Sequence, residues 1–113
     1  MPIINLTRET TLATSVQVAD TSLKRMQGLL GRTSLSAGEA LIIAPCRSIH
    51  MLFMKFAIDV IFIDDKNKVA GLIRRIKPFA FSPIFWKSAC AIELPAGTIE
   101  RTKTQIGDSI QIF

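Results

Sequence analysis

Tyrosine is absent from this chain, tryptophan and histidine occur once each, and cysteine occurs twice. Each scarcity removes a class of function. One histidine and two cysteines 44 positions apart give fewer nitrogen and sulfur ligands than the roughly four of a structural zinc site, and no CxxC pair begins one. The few aromatics form no base-stacking series among basic residues, so there is no clear nucleic-acid signal. Gly28, Gly31, Gly97 and Gly107 stand apart from one another and form no phosphate-cradling loop, which disfavours a nucleotide fold. No apolar run approaches the roughly 20 residues of a membrane span. The start, MPIINLTRET, lacks the basic and apolar segments of an export signal. The expectation is a cytoplasmic chain with no membrane span and with reduced thiols, which disfavours a Cys46–Cys90 bridge.

What the chain does contain is a core. Of 113 residues, 49% are hydrophobic and 20% charged, the profile of a compact protein rather than a disordered one. Residues 1–113 are expected to form a single domain. The net charge of +5 arises largely in residues 55–77, where six basic groups face three acids. That strip, KNK and RRIK with Lys55, is expected to be a solvated face.

Hydrophobic spacing sets the elements. TTLATSVQVA alternates Leu12, Thr14, Val16 and Val18 and is expected to be one strand. Asp20 reads as a helix cap, and Leu23, Met26, Leu29 and Leu30 follow at helical spacing until Gly31 stops the run, which predicts a short amphipathic helix over 21–30. From Gly38 strands are expected in ALIIA, in the stretch CRSIHMLFMKFAIDVIFID, and in VAGLIRRI, with 57–63 and 69–76 antiparallel neighbours joined at DDKNK, where Asn67 tolerates positive φ. PFAFSPIFWK, with two prolines and four aromatics, reads as a loop laid over the sheet. SACAIELP and GDSIQIF are strands, and ERTKTQ is a polar connector. The expected fold class is α+β, mostly β: a small antiparallel barrel or sandwich with one short helix.

Four strings, VADTSLKRMQGLLGR, the C-x3-H before MKFAIDVIFID, ELPAGT and the closing IGD, occur in an order that resembles domain-of-unknown-function family 192, a small uncharacterised prokaryotic family, from about Val16 to Ile112. The resemblance implies a compact β-rich fold and brings no established substrate, cofactor or catalytic residue. Met51 stands where a threonine commonly follows the histidine in that family, and Asn67 where its hairpin usually has glycine.

The chemistry-bearing residues cluster in CRSIHMLFMKFAIDVIFID. Asp59 lies in an otherwise apolar strand, where an ionised carboxylate needs a partner: His50, Lys55, an arginine, or exposed backbone N–H groups. His50 is the favoured partner. Glu93 is expected to alternate outward to water. The leading expectation is a binding or interaction module, not an enzyme and without cofactor or metal. Its shallow pocket would be built from His50, Asp59 and the aromatic loop with Phe79, Phe81, Phe85 and Trp86, with Arg74, Arg75 and Lys77 at the rim, and its partner a small molecule or a protein. One alternative is a hydrolase or transferase with Cys46 as nucleophile, His50 as base and Asp59 as orienter. Another is Cu(I) binding through Cys46, His50, Met51 and Met54, whose soft donors suit that ion. Opposite strand parity of the two methionines weighs against it.

Overall fold

The computed structural model describes residues 2–21, 24 and 28–112. Among them, eight strands form two sheets. The smaller has order β2-β1-β8, with β1 (Ile3–Asn5), β2 (Thr10–Ala13) and β8 (Ile110–Ile112), all antiparallel. The larger has order β3-β4-β7-β5-β6, with β3 (Ser15–Ala19), β4 (Glu39–Ile43), β5 (Ile58–Asp64), β6 (Val69–Ile76) and β7 (Ser88–Pro95). A five-residue helix, α1 (Thr98–Thr102), lies between β7 and β8. The fold is mostly β and takes the sandwich form, since the sheets do not close into a barrel.

The β5–β6 hairpin forms as its sequence predicts, with Asn67 at φ 61 in the turn and antiparallel register from Ile58↔Ile76 to Ile63↔Val69. Other elements differ. TTLATSVQVA is two strands in different sheets: the chain breaks at Thr14, where the N–H groups of Thr14 and Ser15 both donate to the Gly38 carbonyl at 2.8 and 2.9 Å. The β3–β4 pair is parallel, not antiparallel, because residues 20–38 return the chain to the end from which β3 began. Half of the helix expected over 21–30, residues 22, 23 and 25–27, lies outside the described residues, and 28–30 form a turn. Lys24 is helical, its N–H donating to Thr21 Oγ1 at 3.2 Å and its carbonyl accepting the Gly28 N–H at 2.9 Å, and Gly31 has the left-handed φ of 85° expected of a stop. The connector read from ERTKTQ is in part α1, whose Thr98, Ile99 and Thr102 are buried.

Both faces of the larger sheet are covered, and side-chain parity sorts the core into two layers. Ile61 and Ile63 of β5 and Ile92 and Leu94 of β7 pack with Ile3, Leu12, Ile99 and Ile110, filling the space toward the smaller sheet. Ile58, Val60 and Phe62 of β5, with Leu41, Ile43 and Ala91, pack on the other side against Leu29, Ile49, Met51 and Met54. That second layer is roofed by two irregular segments, 44–57 and 77–87. The first was expected to be strand but pairs only locally, at the His50↔Phe81 bridge. Backbone hydrogen bonds tie the two together: Phe85 N to Arg47 O, Ser82 N to Ile49 O, Met51 N to Ala80 O and Phe79 N to Met51 O, all between 2.7 and 2.9 Å. The Phe85 ring anchors the roof by stacking on Phe62 at 4.4 Å. Gly71 makes room for it, since a Cβ there would run into that ring.

Candidate functional site

Asp59 is fully buried, on the face of β5 that turns toward the smaller sheet, across from Leu94. Its Oδ1 accepts the Arg75 N–H at 2.9 Å, and its Oδ2 accepts the N–H groups of Gly97 at 3.1 Å and Ile99 at 2.8 Å. Those are the donors that the backbone strands at the start of α1 and at the positive-φ residue Arg75 (52°). The carboxylate is thus held by backbone N–H groups, one of the two kinds of partner anticipated. The pairing with His50 does not occur. His50 belongs to the roof on the opposite side of the sheet, is exposed, and accepts the Leu52 N–H through Nδ1 at 3.3 Å. Cys46, His50 and Asp59 therefore do not converge. The Cys46 thiol donates to the Ser48 carbonyl at 3.1 Å.

A different acid meets the His50 segment. Glu93 sits directly across from Val60 on β5 and Leu41 on β4, so its side chain enters the layer beneath the roof. It is 7% exposed, which overturns its expected outward placement. The expectation treated the alternate positions of β7 as facing water, but β7 pairs with β4 on one side and β5 on the other, and its second face is interior as well. The signal was available in principle: AIELP holds one acid in an apolar run, the same pattern that marks Asp59 in IDVIFI.

Glu93 lies at the base of a cleft of about 330 Å³. Its walls are Leu29, Ile43, Ile49, Met51 and Met54, all buried, and Cys46, Arg47 and His50 line it as well. Among the described residues no hydrogen bond or ion pair reaches the Glu93 carboxylate. Burial accordingly pushes its carboxyl up to about 7. The cleft thus offers an apolar enclosure with one acid at its base, charged or neutral near neutral pH, and an arginine and an imidazole exposed at its mouth.

The remaining expected site residues lie elsewhere. Trp86 is 72% exposed and borders a second hollow with Arg47, Asp64, Asp65, Lys66 and Lys87. Arg74 and Arg75 are exposed on the edge strand β6, outside the cleft, and the Arg75 guanidinium lies 3.7 Å from Glu100 of α1. Cys46 and Cys90 are not joined in a disulfide. The Cys90 thiol is pushed up to about 11 by burial and, secondarily, by its proximity to Cys46. Met51 and Met54 line the cleft together with Cys46 and His50; because this segment is a loop, strand parity does not separate them. Among the described residues no three His, Cys, Asp or Glu side chains group closely enough to hold a metal, and no helix is long and apolar enough to cross a membrane.

Fold and cleft together define a small β-sandwich protein with a lone acid buried at the base of an apolar hollow. The chain belongs to domain-of-unknown-function family 192, described as "Uncharacterized ACR", whose model matches residues 4–112. It is 34% identical over 112 residues to a UPF0127 protein of Thermococcus sibiricus, covering 96% of this chain and 72% of that one. It is 30% identical over 114 residues to a UPF0127 protein of Pyrococcus furiosus, covering 96% of each. The fold is also that of a crystallised protein of unknown function from Novosphingobium aromaticivorans, at a TM-score of 0.86 and 21% identity over 99% of this chain and 84% of that one. A proposed transcription regulator from Sinorhizobium meliloti shares it at a TM-score of 0.82 and 20% identity, over 97% and 89% of the two chains.

Proposed function

We propose that this protein is a binding module that takes a small molecule in the Glu93 cleft. The observation that supports this reading is the carboxylate itself. An acid buried to this degree is ordinarily paired, because an unpaired charge in an apolar site is costly and an unpartnered neutral carboxyl still forfeits its hydrogen bonds with water. A ligand that brings a donor to Glu93 removes that deficit. The cleft volume of about 330 Å³ falls at the low end of the range for small-molecule sites, roughly 300–1,000 Å³. The occupant is therefore compact: an apolar body filling the space between Leu29, Ile49, Met51 and Met54, and an amine or hydroxyl head for Glu93. His50 and Arg47 sit at the mouth, where they contact the end of the ligand that remains near water. Asp59 serves the scaffold in this reading. Its expected part in the pocket passes to Glu93. The chain's working compartment, on the reading of its sequence, is the cytoplasm.

Thermal shift with short straight-chain alkylamines and the matching alcohols tests the proposal, using wild type, Glu93→Leu and Asp59→Asn. Wild type is expected to be stabilised by members of the set, Asp59→Asn to melt lower but keep the ligand-induced increment, and Glu93→Leu to lose the increment. Equal increments in wild type and Glu93→Leu would refute the cleft as the binding site.

One observation favours a second occupant. Cys46, His50, Met51 and Met54 all line this cleft, and a thiolate, an imidazole and two thioethers are the donors that Cu(I) prefers. Competition with a Cu(I) chelator decides it: retention of copper that is lost on changing Met51 or Met54 to leucine supports that occupant, and no retention by wild type removes it.

A further inference from the structure

The two roof segments also carry an exposed apolar surface that the cleft does not use. Phe53, Phe79, Phe81 and Trp86 are 73, 60, 69 and 72% exposed, and Ile84 is 51% exposed. They project from the backbone ribbon whose other side chains, Ile49, Met51, Met54 and Phe85, turn into the core. On the outer side the Phe53 and Phe79 rings meet edge to face at 6.2 Å, and His50 and Phe81 lie 6.5 Å apart. Scattered exposed apolar residues are normal, but exposed aromatic rings brought into pairs on one ribbon mark a contact surface.

Charge identifies the partner. Residues 44–57 and 77–87 contain Arg47, Lys55, Lys77 and Lys87 and no Asp or Glu. All four cations are exposed, and none of them is in an ion pair among the described residues. Asp64 and Asp65 line the second hollow with Lys66, Trp86 and Lys87, and Phe53, Phe79 and Phe81 do not line it. A second copy of the chain docked through Phe53, Phe79 and Phe81 would set Lys55 and Lys77 against their own counterparts, with no acid in either segment to offset them. A bilayer of anionic lipid offers both complements at once, phosphates for the lysines and the headgroup–acyl boundary for the aromatic rings.

We propose that this ribbon docks on the surface of an anionic phospholipid bilayer. Phe53, Phe79 and Phe81 enter the interface, and Lys55 and Lys77 lie over the lipid phosphates. The attachment is peripheral and reversible, and salt weakens it, since the cationic part of such binding decays within a Debye length.

Vesicle flotation tests it, with phosphatidylcholine vesicles alone and with phosphatidylserine added. The full chain is compared with Phe79→Ser/Phe81→Ser and Lys55→Glu/Lys77→Glu, all exposed positions whose variants are checked for an unchanged melting transition. Wild type is expected to float with the anionic vesicles and to stay in the dense fraction with neutral ones. At roughly fivefold in partitioning for each lysine near such a surface, the lysine variant is expected to bind about 25-fold more weakly or worse. The phenylalanine variant is expected to lose flotation. Wild type that fails to float with anionic vesicles, or variants that float as well as wild type, would overturn the proposal. So would self-association through Phe79 and Phe81 without vesicle binding, or preferential binding of a single-stranded oligonucleotide.

Discussion

Replacing Glu93 with glutamine is expected to change the pH dependence of stability between pH 4.5 and 7. Burial raises its carboxyl from an ordinary value of 4.5 to about 7. The folded state therefore holds a proton that the unfolded chain releases at pH 4.5, and stability falls as pH rises between those two values. The loss begins near pH 4.5, is largely complete by pH 7, and amounts to about 3 kcal/mol at 1.36 kcal/mol per pH unit. Glutamine has nearly the same shape and does not ionise, so the difference between the two proteins isolates this carboxyl from the Arg47, His50 and Cys46 that share its cleft. Urea unfolding at half-unit intervals from pH 4.5 to 8 supplies the comparison. The gap, variant minus wild type, is expected to widen steadily across the interval and then to level off. Two other acids do not obscure it. For Asp108, burial alone would raise the carboxyl, but hydrogen bonds from Arg8, Asn5 and the Gln105 N–H hold it below its usual 3.8. Glu39 is lowered by the Ser36 N–H and Arg32. The stability those two groups contribute is present above their ordinary values and is lost on acidification below the interval scanned. Parallel curves for wild type and variant would refute the argument that Glu93 is buried with no partner among the described residues. An alkylamine that binds the cleft is expected to narrow the gap at pH 8, since it supplies the charge that the site lacks.

Asp59→Ala strands the N–H groups of Arg75, Gly97 and Ile99 in a buried place and is expected to cost about 3 kcal/mol or more, measured as a loss in urea midpoint without loss of cleft binding in the remaining folded protein. Gly71→Ala is expected to cost about 1–3 kcal/mol, because the new methyl displaces the Phe85 ring from Phe62 and loosens residues 77–87, an effect visible as faster proteolytic cleavage within that segment; unchanged cleavage would mean that Phe85 is not the anchor. Cys90, with its thiol pushed up to about 11, is expected to remain unlabelled by iodoacetamide at pH 8 under native conditions and to react once the chain is unfolded.

How much of this was legible in the sequence depends on whether the deciding interaction is local. The β5–β6 hairpin was legible because Asn67 and the alternation on either side of it lie within one short stretch. The loop character of PFAFSPIFWK was legible from its prolines. The break at Thr14 was not, because the donors of Thr14 and Ser15 are turned by a carbonyl at Gly38, far along the chain. Nor was the strand Ile3–Asn5, which exists because β2 and β8 flank it and the Asn5 side chain reaches Thr104 and Asp108. Parallel pairing of β3 and β4 likewise depends on the route taken by the intervening chain.

The two acids of the central strands differ in something that local sequence does not encode. Each lies in an apolar run, and the cost of burying charge says of each that it needs a partner. The sequence does not say which layer covers which face, and that decides their roles. Asp59 shares a face with Ile61 and meets α1, whose first turn presents N–H groups with no partner of their own, so its requirement is met within the protein. Glu93, paired across from Val60 one position along β5, points the other way, under a roof whose buried side chains are Ile49, Met51 and Met54, and among the described residues no group donates to it. A satisfied acid stabilises a fold, whereas an unsatisfied one costs stability until a donor reaches it. A shift of one position in register exchanges those two surroundings, which is why the proposed site rests on Glu93 and not on Asp59.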